Sequence, residues 1–123
     1  MDKLRELLND LTYTSSVRRT QLQREVSDLD IRLLRVFRAV VQCGGITAAE
    51  VELNKSKSAI SMDMTSLENR IGISLCRRGR SGFALTREGE MIYAATTRLF
   101  SDLDRFNDQI NLATSILSGS IKI

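Results

Sequence analysis

From Ser27 onwards, apolar residues recur at spacings of three and four, and glycines or small polar residues interrupt them at intervals. Ile31, Leu34, Phe37, Val40 and Val41 make the first stripe and predict a helix. Ser27 or Asp28 can cap it, because a short side-chain oxygen accepts from an orphan N–H of the first turn. Gly44 and Gly45 end it, since glycine accepts the left-handed conformation that closes a helix. The run TAAE at 47–50 has the capping-box form and predicts a very short second helix opening at Thr47 and ending near Leu53. Asn54 and Lys55 make a turn. Ser56 caps a third helix that keeps Ile60, Met64, Leu67 and Ile71 inward, and Gly72 stops it.

The pattern then changes. In ISLCRRGRSGFALT (73–86), Ile73, Leu75, Phe83 and Leu85 flank Gly79 and Gly82, as two short strands joined at a basic, glycine-rich tip would require. Thr86 caps a helix running from about Arg87 to Leu117. Its apolar positions Ile92, Leu99, Leu103, Phe106, Ile110, Ala113 and Leu117 alternate steps of three and four, with Thr96 filling one place. About 30 residues at 1.5 Å each make a rod of about 45 Å, too long to bury against so small a domain. A regular apolar seam on a projecting helix asks for a second helix, most simply its own copy, so these seven residues form the expected dimer interface. In the first thirty residues, Leu4, Leu7, Leu8 and Leu11 fit a short amphipathic helix, and TYTSSVRRT (12–20) reads as a linker. Leu22, Val26 and Leu29 return to helical spacing.

Composition narrows the function. At 123 residues, 42% hydrophobic and 27% charged, the chain has room for one ordinary domain and an appendage. No stretch approaches the ~18 consecutive apolar residues of a membrane span, and MDKLRELLND is not a signal peptide, so the expected location is cytoplasmic, with no membrane partner. Cys43 and Cys76 stand in unrelated contexts and the chain contains no histidine. Reduced core cysteines fit better than a disulfide or zinc site, and no metal or cofactor is expected. Without histidine, phosphate-binding glycine loop or metal cluster, an enzyme is not expected. The net charge of +3 is mild but uneven: Arg77, Arg78, Arg80 and Arg87 face only Glu88 in the window 76–89.

Short helix, tight turn and second helix make a helix-turn-helix, whose second helix enters the major groove of DNA. With Ile60, Met64 and Leu67 inward, Ser58, Met62 and Thr65 point away, and Lys57 and Ser61 flank the N-terminal end that reaches base edges. Lysine can bond guanine, serine and threonine either donate or accept, and methionine can meet a thymine methyl. Ordinary solvent-facing residues would look similar. The basic loop that follows in the right place favours DNA.

Residues 29–123 resemble the N-terminal part of a LysR-type transcriptional regulator. The resemblance rests on LDIRLLRVFRAVVQCGGIT (29–47), on the helix-turn-helix from TAA (47–49) through SKSAIS (56–61) to Leu67 and Glu68, and on LCRR (75–78) and LTREG (85–89). The terminal SGSIKI is similar to the junction where the family's ligand-binding domain begins. The resemblance implies a mainly α winged helix-turn-helix with a two-stranded wing, and a linker helix that pairs two subunits on an interrupted palindrome. It assigns base contacts to Ser56, Lys57, Ser58, Ser61 and Met62, to which Thr65 adds its outward position. Arg77, Arg78 and Arg80 of the wing, with the caps Thr47 and Thr86, would meet the backbone or minor groove. Larger assemblies than the dimer, common in the family, would depend on a further domain. The molybdate-responsive regulators share a similar module and stay as an alternative, as does a helical protein-interaction module without DNA binding.

The chain departs from the family pattern at several positions. Ser58 stands where proline is frequent, Met62 where arginine is, and Asp63 replaces a usual glutamine and would repel phosphate unless it accepts from a cytosine amine. Glu50 and Lys55 replace alanine and valine between the helices; either they compensate each other or each reaches water independently. The expected domains are an N-terminal extension (1–26), the winged helix-turn-helix (27–86), the linker helix (87–118) and the start of an effector domain (119–123). The extension could pack on the linker helices or lengthen the DNA footprint through Arg18 and Arg19.

Overall fold

The computed structural model describes residues 24–79 and 82–119. The expected helix at 2–11, the linker at 12–20, Leu22, Arg18, Arg19, the wing-tip Arg80 and the strand expected from Ser120 lie outside them. Among the described residues, four helices and one hairpin follow in the order α1 (Asp28–Cys43), α2 (Ile46–Leu53), α3 (Lys57–Ile71), β1 (Cys76–Gly79), β2 (Gly82–Leu85) and α4 (Arg87–Ser118). The strands are antiparallel, with Cys76 opposite Leu85 and Arg78 opposite Phe83.

Local chemistry explains most boundaries. Ser27 caps α1 reciprocally: its Oγ accepts from the Asp30 amide at 3.2 Å, and the Asp30 carboxylate accepts from the Ser27 amide at 2.9 Å. Gly44 closes α1 at φ 89°. Ser56 Oγ accepts from the Ala59 amide and opens α3, and Thr86 Oγ1 accepts from the Gly89 amide and opens α4. Two sequence expectations fail here. α2 starts at Ile46 with Gly45 as its cap residue, so Thr47 lies inside the first turn and caps nothing. Ile46 must enter the core, where it is buried, and this moves the cap two residues earlier, from Thr47 to Gly45. The buried face of α1 is also wider than the predicted stripe. Leu33 and Val36 are buried with Phe37 and Val40, while Ile31, Leu34 and Val41 are only half-buried. The reason is position: α1 packs against α2, α3 and α4 and needs more than one apolar face.

The core joins Leu33, Phe37 and Val40 of α1 to Ile46 and Ala49 of α2, to Ile60, Met64 and Leu67 of α3, and to Leu75 and Cys76 at the wing. Cys43 and Cys76 are both unbridged, and burial pushes the Cys76 thiol up from its ordinary value. α4 enters at very close range. A Cβ on Gly89 would sit 1.9 Å from the Leu75 carbonyl oxygen, so only glycine fits there. Tyr93 meets Phe37 edge-on with centroids 6.1 Å apart. Phe100 is buried beneath Arg35 and Arg38, whose guanidinium carbons lie 4.6 and 4.4 Å from its centroid. Such contacts are worth roughly 0.5–2 kcal/mol each.

One buried charge ties the ends of α1 and α3 together. Asp30, 2% exposed, accepts from Arg70 Nε at 2.7 Å and Arg24 Nη2 at 2.8 Å, and Arg70 Nη2 also reaches Ser27 Oγ. The Arg70 guanidinium first, then the Ser27 amide and Arg24, hold the Asp30 carboxyl well below the usual carboxylate range against the opposing effect of burial. A depressed folded value means the contribution of Asp30 is complete above its unfolded value near 4 and is lost as pH falls towards the folded one. Asp30→Asn should therefore cost about 2 kcal/mol at pH 7, and the variant should lose stability less steeply than wild type between about pH 4 and 2. Urea unfolding across that range checks this; parallel curves would contradict the assignment.

Candidate nucleic-acid interface

Because Ile60, Met64 and Leu67 are all buried, the rotation of α3 is fixed and its other side faces solvent. Ser56, Lys57, Ser58, Met62 and Thr65 are exposed, Met62 to 71%, and Ser61 is half-buried. The exposed N-terminal half of α3 thus gathers the six residues selected from the sequence on one helix end. The Ser56 hydroxyl already serves as the cap acceptor.

Beside this end runs an open groove lined by Ile46, Thr47 and Ala48 of α2, Lys57 and Ser61 of α3, and Arg78 and Phe83 of the wing. No side chain caps α2, so its leading amides keep their partial positive charge towards the groove. Amides, ammonium and guanidinium converging on one open channel make a surface suited to a run of phosphates. Thr47 belongs to it as an exposed residue of the first helical turn, and Arg77 is exposed on β1. Thr86 does not belong. It is buried, its hydroxyl donates to the Ser74 carbonyl at 2.6 Å and accepts from Gly89, and nothing remains to offer a phosphate. The sequence correctly made it a cap, and capping is what consumes it.

The acids around the recognition helix are tied to specific partners. Lys55 Nζ pairs with the Asp63 carboxylate, so the repulsive charge expected of Asp63 is locally compensated. Glu50 does not pair with Lys55; its Oε1 accepts from the Lys57 amide at 2.7 Å, stapling α2 to the first turn of α3. The choice between mutual compensation and two independent solvated charges is thus replaced by a third arrangement. Each side chain instead bonds to a residue of α3.

Glu68 is the residue whose role sequence reasoning missed. Its Oε2 accepts from the amides of Leu75 at 2.7 Å and Cys76 at 3.3 Å, and its Oε1 meets Arg78 Nη2 at 3.3 Å. Arg78 Nη1 in turn donates to Ser61 Oγ at 3.3 Å. One carboxylate therefore locks the wing to the recognition helix. An acid placed seven residues before Leu75, at the C-terminal end of α3, was the available signal.

The long helix splits into two parts. Ile92 packs against the core cluster, and Leu99 and the buried Thr96 line a cavity with Leu34, Leu67 and Ile71. This part of the expected seam faces its own domain, because α4 is still lying on α1 there. Residues 101–114 are exposed without exception. They carry Leu103, Phe106, Ile110 and Ala113, and Leu117 follows at 87% exposure; Leu112 and Ile116, outside the predicted seam, are exposed too. No helix among the described residues is long and apolar enough to cross a membrane.

Residues 31–90 match the family profile described as bacterial regulatory helix-turn-helix protein, lysR family. The chain is 50% identical over 99 residues to the HTH-type transcriptional activator BauR of Pseudomonas aeruginosa, a match that covers 80% of this chain and 32% of that protein. It spans about a third of the length of the curated relatives it matches. Among solved structures it is similar to the BenM DNA-binding domain in complex with benA site 1 DNA (TM-score 0.66, 30% identity, 69% of this chain and 96% of that one). It is also similar to the CbnR DNA-binding domain in its DNA complex (TM-score 0.64, 30% identity, 68% of this chain and 97% of that one).

Removing the staple tests the role of Glu68. Glu68→Ala should cost about 1–3 kcal/mol, since it strips the acceptor from two amides and the partner from Arg78. Hydrogen exchange at Leu75 and Cys76 should accelerate more than at Ile60. Uniform acceleration across the domain would show that Glu68 supports the fold generally rather than the wing.

Proposed function

Because the chain belongs to the LysR family of bacterial helix-turn-helix regulators, we propose that it binds specific double-stranded DNA as a homodimer and so regulates transcription in the cytoplasm. The observation that carries this reading is the groove where the uncapped start of α2, Lys57 and Arg78 converge beside the exposed N-terminal half of α3. A phosphate strand in the groove would place α3 in the adjacent major groove. Lys57, Ser58, Ser61, Met62 and Thr65 would then meet base edges, with Ser56 at the helix entry. Thr47, Arg77, Arg78 and Arg80 would position the head on the backbone.

The exposed part of α4 supports the dimer. Leu103, Phe106, Ile110, Ala113 and Leu117 form an apolar strip that stays exposed among the described residues, and a second copy would cover it. Ile92 and Leu99 would contribute mainly through the head they pack on. Two heads carried on one paired rod suit a palindrome with half-sites separated by multiples of ~34 Å. An effector domain following residue 118, and assemblies beyond the dimer, belong to the same proposal.

Two measurements test it. In gel shifts over a salt series, Arg78→Ala should weaken binding to all sequences about equally and reduce the salt slope by about one, whereas Lys57→Ala and Met62→Ala should also change which sequences are preferred. Equal losses on selected and random DNA for both groups would contradict that division. In sedimentation, Phe106→Asp should shift the chain from dimer to monomer while the head keeps its unfolding midpoint. A dimer that survives the substitution would place the interface elsewhere.

A further inference from the structure

Besides the close approach at Gly89 and the packing of Ile92, two aromatic contacts hold the projecting helix to the head. Tyr93 stands edge-on to Phe37 in the second turn of α4. Seven residues later Phe100, 1% exposed, is covered by Arg35 and Arg38. Beyond it, residues 101–114 are all exposed, so Phe100 is the last point at which α4 rests on the domain. As the outermost of the contacts along α4, Phe100 bears most on the direction in which the rod leaves the head.

The second point has unusual chemistry. Arg35 and Arg38 are like charges three positions apart on α1, an arrangement that on a bare helix favours separation. Among the described residues no carboxylate pairs with either. Both guanidinium groups nevertheless lie within 4.6 Å of the same ring centroid. The negative face of the ring supplies the attraction that gathers them. The contact is directional: rolling α4 about its axis, or sliding it along α1, moves the ring out from under the cations. An aliphatic side chain would fill the same space without that preference.

We propose that Phe100, clamped by Arg35 and Arg38, is a positioning residue that sets the angle between DNA-reading head and dimerising rod, and thereby selects the half-site spacing of the operator. This rests on the dimeric DNA-binding reading given above. The clamp touches neither the recognition helix nor the exposed strip of the rod. Its loss leaves each head able to read one half-site and each rod able to pair, and alters only their relative geometry.

The test uses the whole chain and the half-site that wild-type protein selects from random duplex DNA. That half-site is built into palindromes whose centre-to-centre spacing changes one base pair at a time, and into a duplex carrying it once. Wild-type affinity should fall about tenfold two base pairs from the best spacing, whereas F100L and the double variant R35Q/R38Q should fall less than about threefold. R35K/R38K, which keeps cations over the ring, should retain the wild-type profile. All variants should bind the single half-site within about twofold of wild type. The glutamine pair leaves the core untouched and keeps the test valid should F100L fold poorly. An unchanged spacing profile in R35Q/R38Q overturns the clamp. So does a loss of half-site affinity confined to the arginine variants, which would make these arginines DNA contacts. A wild-type chain that ignores spacing, or binds no duplex at low salt, overturns the dimeric DNA reading itself.

Discussion

Burial of Ile60, Met64 and Leu67 against Leu33, Phe37 and Val40 decides the rest of the molecule. A helix that commits one face to the core has no rotational freedom left, so its opposite face is set without any contact being made there. Ser58, Met62 and Thr65 are outward because their neighbours three or four residues away are inward. The same packing puts the α3 N-terminus next to the start of α2, and the groove between them follows. α1 is the common support: α2, α3 and α4 all rest on it.

On this apolar frame four acids serve as joints between elements. Asp30, Asp63 and Glu68 each meet a cation, and Glu50 meets a backbone amide at the head of α3. These contacts are joints between elements: Asp30 joins α1 to α3, Lys55 and Asp63 join the turn to α3, and Glu68 joins α3 to the wing. Buried or half-buried acids in such joints cost desolvation, which Asp30 and Glu68 offset through three hydrogen bonds each. The consequence at the surface is electrostatic. These four carboxylates are held within the scaffold, while Lys57 and Arg77 stay turned to solvent.

Much of this was legible in the chain. Ser27, Ser56 and Thr86 were readable as caps and Gly44 and Gly72 as stops, because capping depends on residues within a few positions of each other. The face of α3 and the two strands were readable from period alone. What escaped depended on residues distant in sequence. Leu33 and Val36 lie off the single stripe of α1 and are buried only because three helices surround it. Thr47 and Glu50 fitted a local capping box, yet Ile46 and Lys57 compete for the same roles across a turn. The role of Asp30 was not legible because its partner Arg70 is 40 positions away. Phe100 falls outside the heptad seam for a physical reason: the seam describes what the free half of α4 offers a partner, whereas Phe100 answers to α1.

The projecting part of α4 also has a mechanical meaning. From Phe100 to Ser118 it is a stiff lever about 27 Å long at 1.5 Å per residue. A tilt of about 7° at its fulcrum swings the far end by about 3.3 Å, close to the rise of one base pair on a DNA strand. Small displacements at the distal end can therefore be geared down into fine angular adjustments of the head. In the other direction, a strained or bent duplex would be felt amplified at the far tip of the lever.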